Sequence, residues 1–147
     1  MEAHPVASML YTGHSLGGAL ATYAAVDVPE VLGPFNEVYF YTFGSPRTGN
    51  QAFTDHVMTL QRNYYRVTHA ADTVPHLPST AQGFNHAGTE AWYPNAGLGQ
   101  TYQLCFNKVG TPENAQCADT VLSTNLNDHM QYVGIDLAAG WCGGPSF

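Results

Sequence analysis

Positive charge is the scarcest commodity in this sequence: 147 residues carry four basic side chains, Arg47, Arg62, Arg66 and Lys108, against eleven acidic ones. Affinity for a phosphate backbone comes from clustered Lys and Arg, so a formal net charge of -7 without such a cluster excludes nucleic acid as a partner. The same lack removes electrostatic attraction to anionic membranes, and any lipid contact has to be apolar. No apolar run approaches the length of a membrane span. Internal repeats and low-complexity segments are absent as well. What remains is a chain of ordinary apolar and aromatic content, long enough for one domain, 1–147, with a sizeable core.

Cysteine is also sparse, and odd in number. Cys105 and Cys117 flank a loop containing Gly110, Pro112 and Asn114, and a disulfide closing that loop is expected. Cys142 is left over, either a buried free thiol or half of a bridge whose partner is absent. The first residues, Met1-Glu2-Ala3-His4-Pro5, have neither the basic region nor the apolar core of a signal peptide.

Against this background stands one sharp motif, Gly13-His14-Ser15-Leu16-Gly17-Gly18. Val6 to Thr12 before it is apolar, with β-favouring Val6, Tyr11 and Thr12, and predicts a buried strand. Leu16 to Val26 after it is rich in Ala and Leu and predicts a packed helix. A sharp turn between the two leaves no room for side chains beside its apex, which predicts glycine at 13 and 17. Ser15 then sits on a strained elbow with its Oγ exposed, and the backbone N–H of Leu16 becomes one oxyanion donor. The start of the helix favours the developing negative charge. Gly17, Gly18 and Ala21 are expected to let this helix lie close on the sheet.

Further along, Glu37 to Phe43 predicts a second strand, Asn50 to Leu60 a helix, and Asn63 to His69 a third strand. The alternation argues for an α/β domain, a mostly parallel sheet with covering helices. Beyond Asp72 the pattern breaks. Pro75, Pro78, Gly83, Pro94, Gly97 and Gly99 punctuate a long loop region, with short strands at Glu90 to Tyr93 and Thr101 to Asn107. A final helix is predicted from Asp128 through Ala139, with Asn127-Asp128 as its polar start.

A serine nucleophile needs a base, and the base an orienting acid, in the chain order Ser, acid, His. Asp72 follows the third strand at the sheet edge where sites collect. Seven histidines compete for the base. His14 is expected to point away from Ser15, His4 and His56 to be solvated, and His69 to lie in a strand. His76 and His86 fall in the loop region. His129 comes late in the chain, as the order demands, and His86 is its rival.

Five blocks then resemble the C-terminal half of the fungal class 3 lipases and the related feruloyl esterases. GHSLGGALAT at Gly13 to Thr22 is similar to the nucleophile segment of that family, and YTFGSPRTGNQAF at Tyr41 to Phe53 to its next strand and turn. YYRVTHAADTVPHLP at Tyr64 to Pro78 resembles the acid segment, with Asp72 in the acid's place. GFNHAGTEAWY at Gly83 to Tyr93 matches the region after it, and NDHMQYVG at Asn127 to Gly134 the segment with His129 in the base's place. The resemblance implies Ser15, Asp72 and His129 as the triad and leaves His86 a structural role. It further implies a partial α/β-hydrolase fold, with N-terminal strands, lid and second oxyanion donor absent from this chain. Secretion follows from the same resemblance, as does the lone Cys142, because secreted relatives tie a C-terminal cysteine to one near the N-terminus.

The activity implied is hydrolysis of acylglycerol esters through an acyl-enzyme, with no metal and no organic cofactor. Plant cell-wall feruloyl esters are the alternative substrate, and an inactive fragment retaining the triad residues is the reading from a different class. The nucleophile strand is expected at an exposed sheet edge, which predicts self-association.

Overall fold

The computed structural model describes residues 8–32, 35, 37–61, 63–95 and 99–139. Seven strands and two α-helices follow in the order β1 (Ser8–His14), α1 (Leu16–Leu32), β2 (Glu37–Phe43), α2 (Gln51–Leu60), β3 (Tyr64–His69), β4 (Thr89–Tyr93), β5 (Gln103–Phe106), β6 (Gln131–Tyr132) and β7 (Ile135–Asp136). The first five strands form one sheet in the order β1-β2-β3-β4-β5. β1 to β4 are parallel and β5 is antiparallel to β4. Thus the mostly parallel α/β sheet read from the sequence is what the chain forms.

One face of this sheet is covered. Tyr11, Phe40 and Tyr64 point toward Ala21, Ala25 and Val26 of α1 and Val57 of α2, which together make the core. Phe40 and Tyr64 are register partners, and their rings stack with centroids 3.7 Å apart. The Tyr64 hydroxyl meets the Thr22 and Thr42 hydroxyls at 3.2 Å each, so the polar tip of a buried aromatic is satisfied inside the core. The opposite face carries Leu10, Tyr39 and Tyr41, all exposed. It continues into an open apolar groove lined by Phe43, Tyr65, Val67, Tyr93 and Leu104.

Helix α1 runs past Val26 to Leu32 with Pro29 inside it. Proline has no N–H to give the carbonyl four residues earlier, here that of Ala25, which is fully buried. The Gln61 side chain, just beyond α2, supplies the missing donor through Nε2 at 2.7 Å. α2 begins where expected, with the Asn50 side chain capping the Phe53 N–H at 3.0 Å.

Two expectations are corrected. The strand predicted over Val6 to Thr12 is observed at Ser8–His14, paired with β2 as far as His14 opposite Phe43, so it runs straight into the elbow. Val6 lies outside the described residues. The helix expected from Asp128 through Ala139 does not form: Leu126–Met130 is a 3-10 turn, β6 and β7 make a hairpin, and Leu137–Ala139 is another short turn. Val133 at φ 47° and Gly134 at φ 79° supply the two left-handed residues that a tight hairpin needs and an α-helix forbids. Cys105 and Cys117 are bonded, as the loop predicts, tying β5 to the turn at Cys117–Thr120. Cys142 lies outside the described residues.

Gln61→Met should cost about 1–3 kcal/mol, the penalty for a buried carbonyl left without a donor. In a Pro29→Ala background, where the backbone N–H returns, the same change should cost distinctly less. Urea melts of the four proteins check this, and equal costs in both backgrounds would rule the compensation out.

Candidate active site

The elbow is built by contact between backbones. A Cβ on Gly13 would lie 2.2 Å from the Gly17 carbonyl oxygen, and one on Gly18 would lie 2.7 Å from the Ser45 Cβ. No side chain fits either place. Gly17 itself faces open space, with no atom within 4 Å of an added Cβ. The need for glycine expected at positions 13 and 17 is therefore found at 13 and 18. Ser15 is held at φ 57°, a left-handed conformation that costs a non-glycine residue of order 1–3 kcal/mol. Its N–H donates to the Phe43 carbonyl at 2.9 Å, and its own carbonyl accepts from Gly18 N–H at 2.9 Å. Leu16 is the first residue of α1, so its N–H has no acceptor within the helix. Its side chain is exposed beside the serine.

Ser15, Asp72 and His129, far apart in sequence, are brought into one line. His129 Nε2 lies 2.8 Å from Ser15 Oγ, and His129 Nδ1 lies 2.9 Å from Asp72 Oδ2. A carboxylate only accepts, so Nδ1 carries the proton and Nε2 is free to accept from the serine hydroxyl. Asp72 is buried and has two further donors: the Val74 N–H on Oδ1 at 2.8 Å and the Tyr132 hydroxyl on Oδ2. Burial, reinforced by the Asp72 charge, pushes the Tyr132 phenol far above its ordinary range, so it stays protonated and remains a donor. Gly44, at φ 55°, makes room for this pair: a Cβ there would come within 3 Å of the Tyr132 hydroxyl and Asp72 Oδ2.

The loops carrying Asp72 and His129 are zipped together. Asn125 N–H donates to the Ala71 carbonyl at 2.6 Å, and Ala71 N–H donates to Asp128 Oδ2 at 3.0 Å. His69 reaches from the end of β3 to the Asp128 carbonyl through Nδ1 at 3.0 Å. Asp128, expected as the polar start of a helix, is thus a clamp between two loops.

The other histidines lie elsewhere. His86 is buried, and its Nε2 donates to the Pro75 carbonyl at 2.8 Å. Burial, with the Arg66 and Arg47 charges adding to it, holds its pKa well below the ordinary value of 6.5, so it is neutral and committed to the loop. Its backbone N–H bonds Glu113, which belongs to a charge cluster. There the buried Arg47 guanidinium donates to Glu113, to Asp119 and to the Pro78 carbonyl. Burial opposes the Arg47 charge, but the two carboxylates outweigh it and raise its pKa. His76 stands 3.4 Å from Asp119. His14 meets the sequence expectation only in making no bond to Ser15; it turns instead to His129, whose carbonyl lies 2.9 Å from its Nε2. Tyr132 and Gly44 were not marked by the sequence. The one available signal was a tyrosine three residues after the histidine. Among the described residues no group of three or more His, Cys, Asp or Glu is arranged to hold a metal ion.

This elbow, with an acid and a base converging on its serine over a parallel sheet, defines a hydrolase-like α/β domain. The chain belongs to the class 3 lipase family, whose sequence model matches residues 1–82. It is 37% identical over 139 residues to a lipase of Rhizomucor miehei, covering 92% of this chain and 37% of that protein. A secreted mono- and diacylglycerol lipase of Fusarium solani is 37% identical over 131 residues, 88% of this chain and 38% of that one. Among solved structures, a triacylglycerol lipase described as having a serine protease triad as its catalytic centre superposes with a TM-score of 0.76 at 38% identity, over 86% of this chain and 48% of that one. The chain therefore spans less than half the length of these relatives.

Because His86 is kept neutral when folded but takes a proton when unfolded, its contribution favours unfolding below its unfolded pKa. The pKa of His14 is lowered too, by burial, with the same sign. Stability should therefore fall as pH drops below about 6.5, by up to about 1.4 kcal/mol per pH unit for each such histidine. His86→Gln retains a donor toward Pro75 and should lose less stability between about pH 7 and 5. Urea midpoints at the two pH values measure this, and equal losses in both proteins would count against it.

Proposed function

We propose that this chain is a serine ester hydrolase acting on acylglycerols. The observation that carries the reading is the unbroken line from Ser15 Oγ through the His129 ring to Asp72, at 2.8 and 2.9 Å. Ser15 attacks the ester carbonyl while His129 Nε2 takes its proton, and Asp72 steadies the imidazolium through Nδ1. The Leu16 N–H stabilises the oxyanion. His129 then returns the proton to the departing alcohol, and water releases the acyl group by the same route reversed. All of these steps run on side chains and backbone of the protein itself.

A lipid substrate is supported by the surroundings of the line. Leu16, Leu77 and Leu126, each within five residues of Ser15, Asp72 or His129, are exposed large apolar side chains. The negative net charge gives no attraction to anionic head groups, which leaves apolar contact as the means of engaging substrate. The names of the relatives, acylglycerol lipases, point the same way. A feruloyl ester is the second reading, carried by the sequence resemblance alone. Secretion belongs to the proposal too, since a disulfide persists in oxidising compartments.

Ser15→Ala, Asp72→Asn and His129→Ala should each lower ester turnover by about a thousandfold or more. A fluorophosphonate probe should label the parent chain and not Ser15→Ala. Triacylglycerol and feruloyl substrates assayed side by side decide the substrate class. Activity surviving in His129→Ala would remove His129 as the base, and failure of the parent to label would favour the inactive fragment.

Residues 1–147 are proposed to act as one domain of this family. β1 lies at the sheet edge of the described residues with one hydrogen-bonding side unpaired, next to the exposed Leu10, Tyr39 and Tyr41. An unpaired edge beside an apolar face templates pairing with another chain. Self-association that grows with concentration is the expected result of size-exclusion chromatography with light scattering. A cooperatively melting monomer at all concentrations would refute it.

A further inference from the structure

His14 precedes the serine, yet its contacts are with the base. Its Nε2 lies 2.9 Å from the His129 carbonyl oxygen, which can only accept, so His14 is the donor. Its ring lies against the His129 ring with centroids 4.4 Å apart at 31°, and its edge meets the Tyr132 ring at 5.4 Å. On its remaining side is a small apolar cleft formed with Phe43, Val133, Ile135 and Leu137. The charged or titratable groups that act on it are His129, Asp72 and Tyr132.

The His129 ring is therefore gripped from three directions. Asp72 holds Nδ1, Ser15 meets Nε2, and His14 fixes the backbone from which the ring hangs. That backbone needs fixing, because His129 sits in a five-residue 3-10 turn followed by a two-residue strand, with no long element to hold it. β1, by contrast, is paired with β2 along all seven residues and ends in the elbow. His14 and Ser15 are adjacent on this rigid piece, so clamp and nucleophile move as one body.

We infer that His14 is a positioning residue for the base, setting the His129 ring against Ser15 by holding the His129 carbonyl. The inference rests on the serine-hydrolase reading above and adds to it a residue that never touches substrate. Misplacing a reacting group by about 1 Å costs on the order of a hundredfold, so a partial loosening has a measurable effect.

The test is the rate of Ser15 labelling by a fluorophosphonate, per folded chain. His14→Phe keeps the ring and removes the donor, while His14→Gln keeps an N–H at similar reach. His14→Phe should label about tenfold more slowly, the worth of one hydrogen bond. His14→Gln should rescue the rate to within about threefold of the parent. If His14→Phe does not melt cooperatively, His14→Met, equally without a donor, carries the same expectation. A labelling parent with an unchanged rate in the donorless variant, or a His14→Gln as slow as the donorless variant, overturns the role of His14 alone. A parent that does not label overturns the hydrolase reading and this inference with it.

Discussion

The approach of two backbones at Gly13 and Gly17 is the constraint from which the rest of the site follows. With only 2.2 Å between a hypothetical Gly13 Cβ and the Gly17 oxygen, strand becomes helix within a single residue, and that residue is Ser15. The reversal sends neighbouring groups in opposite directions. His14 turns inward against His129, while Leu16 opens the helix with a free N–H. The unfavourable φ of Ser15 is maintained by bonds on both sides of it, from its N–H to Phe43 and from Gly18 to its carbonyl. Strain of this kind persists only where the surroundings over-determine it.

Two buried polar assemblies divide the remaining work, and both obey the rule that a charge removed from water must be paired or hydrogen-bonded. Around Asp72 the donors are His129, Tyr132 and the Val74 N–H, a set that keeps the carboxylate fixed while leaving the imidazole its outer nitrogen. Around Arg47 the partners are Glu113, Asp119 and a carbonyl, and these join the segment after β2 to the bridged loop. The disulfide holds that loop to β5 from its other end. His86 belongs to this second assembly, which explains why a histidine of the right sort serves as mortar and not as a base.

Much of this was legible in the sequence where the cause is local. The β-rich run from Glu37 to Phe43 reads directly as a strand, and the helix predicted from Asn50 to Leu60 is found at Gln51–Leu60. The elbow is legible because Gly13 is demanded by Gly17 and Gly18, four and five residues away. Legibility fails where the cause is distant. Pro29 looks like a stop signal, and only Gln61, 32 positions on, lets α1 continue through it. The segment after Asp128 has the polar start of a helix, yet Asp128 is drawn to Ala71 and Tyr132 to Asp72, and those contacts dictate a turn and a hairpin. His14 and His129 are separated by 115 positions, and Arg47 and Glu113 by 66, so a single sequence holds no trace of either pairing.

Strand order has a consequence for how the molecule comes into being. Each strand from β2 to β5 lies beside the one synthesised just before it, so this part of the sheet can be laid down in step with the growing chain, each addition finding its template already in place. The serine does not share this schedule. Its imidazole lies 114 residues further on, in a turn that contacts the ends of β1 and β3. Until that turn is in place the hydroxyl has no imidazole beside it, however much of the sheet has formed.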